Sequence, residues 1–279
     1  MIQPVLSHDA LLDDIAAARE IPDELHLWWL GQSGFLVQWQ RRHLLLDPYL
    51  SDSLTKKYAD TDKPHVRMTE LCIEPSRLGF IDAVTSSHNH TDHLDAQTLL
   101  SLIKANPGVR LIVPEANRQF AADRLGLPIG RLIGLDDAAS TEVAGFRITG
   151  VPAAHDELER DDAGHHRYLG YVVACGPWTI YHSGDTRLYP GMADRLRPFA
   201  VDVALLPING AAPERRVAGN LDGREAACLA HAIGAGVAIP CHYEMFEFNT
   251  ASPDVFVDEA VRLGQPVAVL ACGQRWTAS

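Results

Sequence analysis

The sequence is short of positive charge: 24 Lys and Arg stand against 36 Asp and Glu, a net charge of −12. That balance offers no cationic face of the kind nucleic acid or an anionic membrane requires, so neither is expected as a generic partner. No run of about 18 apolar residues, the length that spans a bilayer, is present. Cysteine is sparse and scattered. Cys72, Cys175, Cys228, Cys241 and Cys272 are odd in number and form no C-x-x-C pair, which argues against a disulfide framework and for a reducing compartment. The start, Met1-Ile-Gln-Pro-Val-Leu-Ser-His-Asp, lacks the basic region and apolar core of a signal peptide, and a soluble, cytoplasmic protein is expected. No Ser/Gly linker, low-complexity tract or repeat divides the chain. Its 279 residues, 47% hydrophobic, suffice for one large α/β domain or two small ones.

Histidine, by contrast, is plentiful, with thirteen in the chain. Three fall in His88-Asn89-His90-Thr91-Asp92-His93, just after the apolar stretch 80–87. His88 and His90 are two apart, so in an extended segment their imidazoles point the same way. Asp92 and His93 then project from the following turn toward a neighbouring point, which suits two adjacent metal ions better than one. Three imidazoles and a carboxylate match the ligand types of Zn and related ions. A lone histidine here would read as a satisfied polar residue; four metal-capable groups in six residues do not.

Around this cluster the pattern is that of a layered α/β protein. Residues 8–20 read as a short amphipathic helix. Apolar runs at 25–30, 35–39 and 43–46, separated by Gly31-Gln32-Ser33-Gly34 and Gln40-Arg41-Arg42, read as an antiparallel meander. Residues 51–79 form a long polar loop, of the kind that is often functional. Strands are expected at 80–87, 109–114, 146–151, 169–175, 179–182, 201–206, 237–240 and 267–271. Helices are expected at 96–104, 117–125, 222–234 and 252–263. Asp222 and Glu225 are placed for a capping box, and Ser252-Pro253 for an N-cap followed by a first-turn proline. Hairpins first, then strands alternating with helices, in two similar halves, predict two mixed sheets packed face to face with helices outside.

Further metal-capable residues fall where strands are expected to end: His155 after 146–151, Asp185 in Tyr181-His-Ser-Gly-Asp185, and His242 in Ile239-Pro-Cys-His-Tyr243. Loops at strand ends, held by a rigid scaffold, commonly carry function. The order H-x-H-x-D-H, His, Asp, His resembles the metallo-β-lactamase superfamily. Together with Trp28-Trp-Leu-Gly-Gln-Ser-Gly34 and Val201-Asp-Val-Ala-Leu205, it is similar more narrowly to the L-ascorbate-6-phosphate lactonase branch. The match spans roughly residues 25–275. It implies the metallo-β-lactamase fold, an αββα sandwich of two mixed β-sheets flanked by helices. The unit would be a single hydrolase domain over 1–279 with a short helical extension at 1–24.

The resemblance further implies a dinuclear centre in which His88, His90 and His155 hold one divalent ion, Asp92, His93 and His242 hold the other, and Asp185 bridges them. His165 or His166 is the alternative should His155 not serve. Asp47 matches an aspartate that fixes the site's loops, and His182 is placed to orient Asp185. Two ions about 3.5–4 Å apart can share one water or hydroxide, and a bound Zn lowers water's pKa from about 15.7 to near 7. The mixed His and carboxylate set tolerates Zn, Mn or Fe. Asp92, like Asp185, counts among the catalytic candidates, as a group that exchanges a proton with water or leaving group. Cys241, beside His242, reads as a core residue.

As substrate handles, Lys56, Lys57, His65 and Arg67 lie in the long loop and Arg187 stands two residues beyond Asp185, any of them able to grip a phosphate or carboxylate. Asn209 and Tyr243 are placed to donate to an oxyanion. Trp28 and Trp29 read as core, and His8, His26, His43 and His231 as surface or structural. The expected activity is hydrolysis of a small polar ester-like molecule, a lactone first. The rivals are phosphodiester hydrolysis, as in the N-acylphosphatidylethanolamine phospholipase D branch, a metal-dependent sensor without turnover, and a redox di-iron protein. Because superfamily relatives often assemble, a homo-oligomer is expected.

Overall fold

The computed structural model of the chain describes residues 1–278; residue 279, the last of the expected 1–279 unit, lies outside the described residues. The chain opens with helix α1 (His8–Ala18) and the strands β1 (Leu25–Gly31), β2 (Gly34–Trp39) and β3 (Arg42–Leu46). Helix α2 (Ser53–Lys57), strand β4 (Ala83–Thr85), helix α3 (Ala96–Ala105), strand β5 (Arg110–Pro114), helix α4 (Arg118–Leu125) and strand β6 (Leu132–Leu135) follow. The second half runs β7 (Ser140–Val143), β8 (Phe146–Pro152), β9 (Leu169–Cys175), β10 (Trp178–His182), α5 (Met192–Leu196), β11 (Val203–Pro207), α6 (Gly223–Ile233), β12 (Val237–Cys241), α7 (Asp254–Leu263) and β13 (Arg275–Ala278).

Two mixed sheets result. One has the order β13-β1-β2-β3-β4-β5-β6 and the other β12-β11-β10-β9-β8-β7. In the first, β13, β1, β2 and β3 are antiparallel neighbours while β3 to β6 run parallel. In the second, β7 to β10 are antiparallel and β10, β11 and β12 parallel.

The alternation of side chains decides which layer each residue joins. In β1, Leu25, Leu27 and Trp29 point into the core between the sheets, where they meet Phe146, Ile148, Ile180 and Leu205. Trp28 and Leu30 point the other way, onto Leu11 and Ile15 of α1 and Leu99 and Leu102 of α3. Both faces being covered, β1 is a nearly continuous apolar run, as strands buried on two sides are, with His26 its one polar interruption, 3.0 Å from Thr277 Oγ1. Helices α6 and α7 cover the second sheet through Ala226, Leu229, Ala230, Phe256 and Ala260. The layers are thus helix, sheet, sheet, helix, as expected. Each fully buried leucine or phenylalanine contributes about 1.5–3 kcal/mol of transfer free energy.

The Asp222 signal acts where it was expected, whereas the Ser252-Pro253 signal is displaced by one residue: Pro253 takes the N-cap position of α7, and Ser252 Oγ accepts from Asp254 N at 3.2 Å. The Asp222 carboxylate accepts from Glu225 N at 2.8 Å while the Glu225 carboxylate accepts from Asp222 N at 3.0 Å, closing a capping box on α6. The strand expected at 80–87 is shorter. Ser87 leaves the ladder because its N–H turns to the Asp47 carboxylate at 3.0 Å. The closing strand expected at 267–271 forms only an isolated bridge from Val267 to Ala238. Ala271 N is taken by the Gln274 side chain at 2.9 Å, and the chain crosses to pair β13 with β1 instead. The short β6 and β7 escaped the sequence pattern. No helix among the described residues is long and apolar enough to cross a membrane.

His43, on β3, supplies a stability prediction. Its ring is buried, with Nε2 2.9 Å from Gln38 Oε1. Burial, aided by Arg19 nearby, pushes its pKa down to about 4, against an opposing pull from Asp82. The unfolded chain takes up this proton near pH 6.5. Stability gained from keeping the ring neutral is therefore complete above pH 6.5 and is lost as pH falls to about 4, roughly 3 kcal/mol in all. In a His43→Leu protein, urea unfolding measured between pH 4.5 and 6 should show a stability slope shallower by up to about 1.4 kcal/mol per pH unit. Parallel slopes for the two proteins would disprove this.

A candidate metal centre at the strand ends

Five strands deliver the site. Asp47 directly follows β3, the His88 to His93 cluster lies just past β4, His155 follows β8, Asp185 follows β10, and His242 directly follows β12. Both sheets contribute, at one edge of the sandwich. Tight turns are needed to aim these groups inward, and the backbone shows them: Gln32, Asp47 and His242 have φ of +51°, +41° and +63°. Non-glycine residues in this region are strained and cluster at functional sites. Gly184, at φ +58°, has no alternative, since a Cβ there would lie 2.5 Å from Ser87 Cβ.

The side chains converge as two trios. His88, His90 and His155 bring ligand-capable atoms within 4.8 Å of one another, and so do Asp92, His93 and His242. Asp185, 4% exposed, sits between them. Its Oδ2 lies 3.6 Å from His155 Nε2 and 3.3 Å from His242 Nε2, and its Oδ1 lies 3.3 Å from His93 Nε2. A third grouping, Asp47 with His88 and His93, is a hydrogen-bonded support: His93 Nδ1 donates to Asp47 Oδ2 at 2.7 Å. Ser87 N and Oγ and Thr85 Oγ1 donate to the same carboxylate. A carboxylate on Nδ1 fixes the ring and leaves Nε2 facing the site. His155 is fixed likewise, with Nδ1 2.9 Å from Gly219 O.

The donor set fits divalent metal ions. The buried Nε2 atoms of His88 and His93 have no hydrogen-bond partner, and such atoms are costly unless something occupies them. Burial, with His93 and His90 beside it, pushes His88 well below the usual imidazole range. Burial and His155 push His90 down to about 4. Both rings are therefore neutral with a lone pair to give. Burial opposes charge on Asp185, but His93 and His242 hold its carboxyl well below the usual range. Burial opposes charge on His93 too, and Asp185 and Asp92 override it upward. Carboxylates and rings thus balance one another around two adjacent positions.

Above the trios opens a cavity of about 510 Å³, with His90, Asp92, His155, Asp185 and His242 on its floor. Of the expected handles, Lys57 and His65 line it. Lys56 and Arg67 line a separate cleft; Arg67 is spent on the carbonyls of Thr69 and Ser51, at 2.7 and 2.8 Å. Arg187 is not among the lining residues. It is exposed and lies 3.9 Å from Asp156. Tyr243 is also turned away: its ring stacks near Trp29 at 4.3 Å and its hydroxyl donates to Leu270 O, so it cannot serve an oxyanion. Asn209 bonds Asn249 at 2.9 Å, and only Asn249 reaches the cavity. His182 Nε2 donates to Ser33 O at 2.8 Å, touching Asp185 only by way of Ser33, whose Oγ lies 3.5 Å from Asp185 Oδ1. His165 and His166 pair with Asp161 and Asp136, away from the trios. Cys241 is buried in the core, and burial and Asp185 push its thiol up.

Sequence reasoning missed Gln32 as a member of the site, and it missed Arg124 and the aromatic wall. Gln32 Nε2 lies 2.8 Å from Asp92 Oδ2 and 3.0 Å from His242 Nε2; the G-Q-S-G turn was its only signal. Arg124 lies on α4, where its Nη1 donates to Asn89 O at 2.8 Å and Leu94 O at 3.2 Å and its guanidinium lies 4.5 Å from the Phe120 ring. Opposite, His65 is stacked on Tyr58 at 4.2 Å and abuts Phe246 and Phe248.

Known proteins resemble the chain in sequence and in fold. The family described as a beta-lactamase superfamily domain matches residues 42–243. A UPF0173 metal-dependent hydrolase of Opitutus terrae is 30% identical over 256 residues, 90% of this chain and 98% of the relative. Among solved structures, Igni18, a metallo hydrolase of Ignicoccus hospitalis, aligns with a TM-score of 0.67 at 22% identity over 92% of this chain and 99% of that one. An isothiocyanate hydrolase from Delia radicum gut bacteria aligns with a TM-score of 0.71 at 19% identity, over 91% and 100%. These likenesses between structures carry the fold alone.

Proposed function

The chain belongs to the metallo-β-lactamase superfamily, as a metal-dependent hydrolase, and from that premise we propose that it cleaves a small polar ester-like bond, a lactone first, at a dinuclear centre. One observation carries the reading: two trios of ligand-capable atoms face the same carboxylate, Asp185, at the floor of one cavity. His88, His90 and His155 would hold one ion, Asp92, His93 and His242 the other, with Asp185 shared. When bound, Zn, Mn or Fe ions in such a set supply Lewis acidity and a nucleophilic oxygen at neutral pH.

The chain's own residues do the rest. Asp92, partly exposed to the cavity, is placed to take a proton from the nucleophile or return it to the leaving oxygen. Asp47 and the Gly219 carbonyl hold His93 and His155 in one tautomer. Tyr58, Phe246 and Phe248 form a wall that displaces water from the reacting bond. Lys57 and Arg124 supply positive charge for an anionic group on the substrate. Those two cations also suit a phosphodiester, which keeps phosphodiesterase as the second reading.

The test is turnover of generic lactones, p-nitrophenyl esters and bis-p-nitrophenyl phosphate by protein reconstituted with Mn or Zn. Lactones should be hydrolysed fastest. Turnover of the phosphodiester alone would replace the first reading with the second, and tight metal binding with no turnover on any of them would favour a sensor. Arg124→Ala should raise KM for a lactone bearing a carboxylate or phosphate about 10–100-fold, the range of a charge-assisted hydrogen bond, with kcat and metal content held. A neutral lactone should be unaffected; an equal loss on it would mean that Arg124 only braces the loop around Asn89.

A further inference from the structure

Gln32 stands against two of the three members of the second trio, Asp92 and His242. Its backbone is pinned by two hydrogen bonds to its carbonyl, from Trp29 Nε1 and from His242 N, both at 2.9 Å. Its side chain is buried, 1% exposed, and its amide nitrogen is 2.8 Å from Asp92 Oδ2 and 3.0 Å from His242 Nε2, while Oε1 has no partner. The amide orientation is determined by its neighbours. Reversed, it would set Oε1 against the Asp92 carboxylate, oxygen to oxygen. As it stands, one N–H faces Asp92 Oδ2. The other meets His242 Nε2 as a hydrogen bond in the tautomer whose Nε2 is unprotonated, the same form that would bind a cation. In the other tautomer that nitrogen turns its proton to Asp185 Oδ2, 3.3 Å away.

An imidazole nitrogen has one in-plane lone pair, so a ring atom that accepts a Gln32 N–H cannot at the same moment ligate a cation. The first trio meets no such competitor. His88 and His155 make their hydrogen bonds through Nδ1, to Ser87 Oγ at 3.0 Å and to Gly219 O at 2.9 Å, which leaves their Nε2 atoms facing the site. We infer that Gln32 competes with a divalent cation for Asp92 and His242, so that the two ions bind unequally, with His88, His90 and His155 filled first and the second position only after the amide turns aside. The occupancy of the second position, and with it hydrolysis, then follows the supply of free metal. This inference rests on the dinuclear reading above.

The experiment is calorimetric titration of the full-length protein, stripped by chelator, with MnCl₂, accompanied by the electron paramagnetic resonance spectrum of the bound Mn. The wild type should bind two ions in resolved steps, the second at least about tenfold weaker, since an amide bound through two N–H groups must be displaced. Gln32→Leu, which fills the same buried space without an N–H, should tighten the second step about tenfold or more and leave the first within threefold. The spin-coupled pair spectrum should then appear at lower added Mn. Equal affinities in the wild type, or a second step unchanged or weakened in Gln32→Leu, overturns the inference. If the Leu side chain is not tolerated, Gln32→Met and the wild-type step ratio still decide it. A total stoichiometry of one ion would instead overturn the dinuclear reading itself.

Discussion

Asp185→Ala should reduce turnover at least about a thousandfold, some 4 kcal/mol of transition-state stabilisation, and should lower metal content below that of the wild type. The size of the effect follows from position. Among the described residues Asp185 is the one carboxylate within 3.6 Å of a histidine from each trio, so its removal would affect both proposed ion positions together. It also leaves His93, whose ring carries a raised pKa through Asp185 and Asp92 against burial, with one fewer counter-charge. Asp185→Asn, which keeps the shape and removes the charge, should bind metal better than the alanine variant and remain far below the wild type in turnover. Elemental analysis of the purified variants, beside lactone hydrolysis, checks both statements. An alanine variant with full activity would refute the two-ion mechanism.

Asp47→Ala should weaken metal binding about 10–100-fold, as loss of a carboxylate behind a ligating histidine does, although Asp47 is not expected to ligate. Its carboxylate is fully buried and takes hydrogen bonds from His93, Ser87 and Thr85. Alanine would strand His93 Nδ1 and Ser87 N without acceptors, at about 1–3 kcal/mol each. It would also have to adopt φ near +41° without the local hydrogen bonding that eases Asp and Asn into that region. Global stability should therefore fall together with metal affinity. Asp47→Asn keeps one acceptor and tolerates the backbone, so it should recover most of the stability and only part of the affinity. Denaturant unfolding and metal titration of the two variants separate these effects. Asp47→Ala with wild-type metal affinity would remove Asp47 from the support of the centre.

What could be read from the sequence was set by local rules. The apolar runs and the Gly31-Gln32-Ser33-Gly34 turn marked β1 and β2 as hairpin strands, and strand ends carrying Asp47, His155, Asp185 and His242 marked the candidate site because ligand type and turn chemistry are written locally. What escaped depended on direction and on long-range partners. Tyr243 adjoins His242 in sequence, yet the left-handed backbone at His242 sends its neighbour into the core beside Trp29. Arg187 stands two residues from Asp185 and points to Asp156 in solvent. Arg124 reaches the cavity from a helix with no recognisable signal, held by carbonyls of a loop some thirty residues earlier in the chain. The apolar run at 267–271 could not reveal that its hydrogen bonds would be made by a single bridge and a glutamine side chain.

The spread of the ligands along the chain has a bearing on biogenesis. In the first trio His88 and His155 are 67 residues apart, and in the second Asp92 and His242 are 150 apart, each pair drawn from strand ends of opposite sheets. Non-local pairings of this kind form slowly, so each trio assembles only once its strands from both sheets have been synthesised and docked. Metal binding at either trio would accordingly come late, to a scaffold already folded, and would tie the two sheets together at that edge.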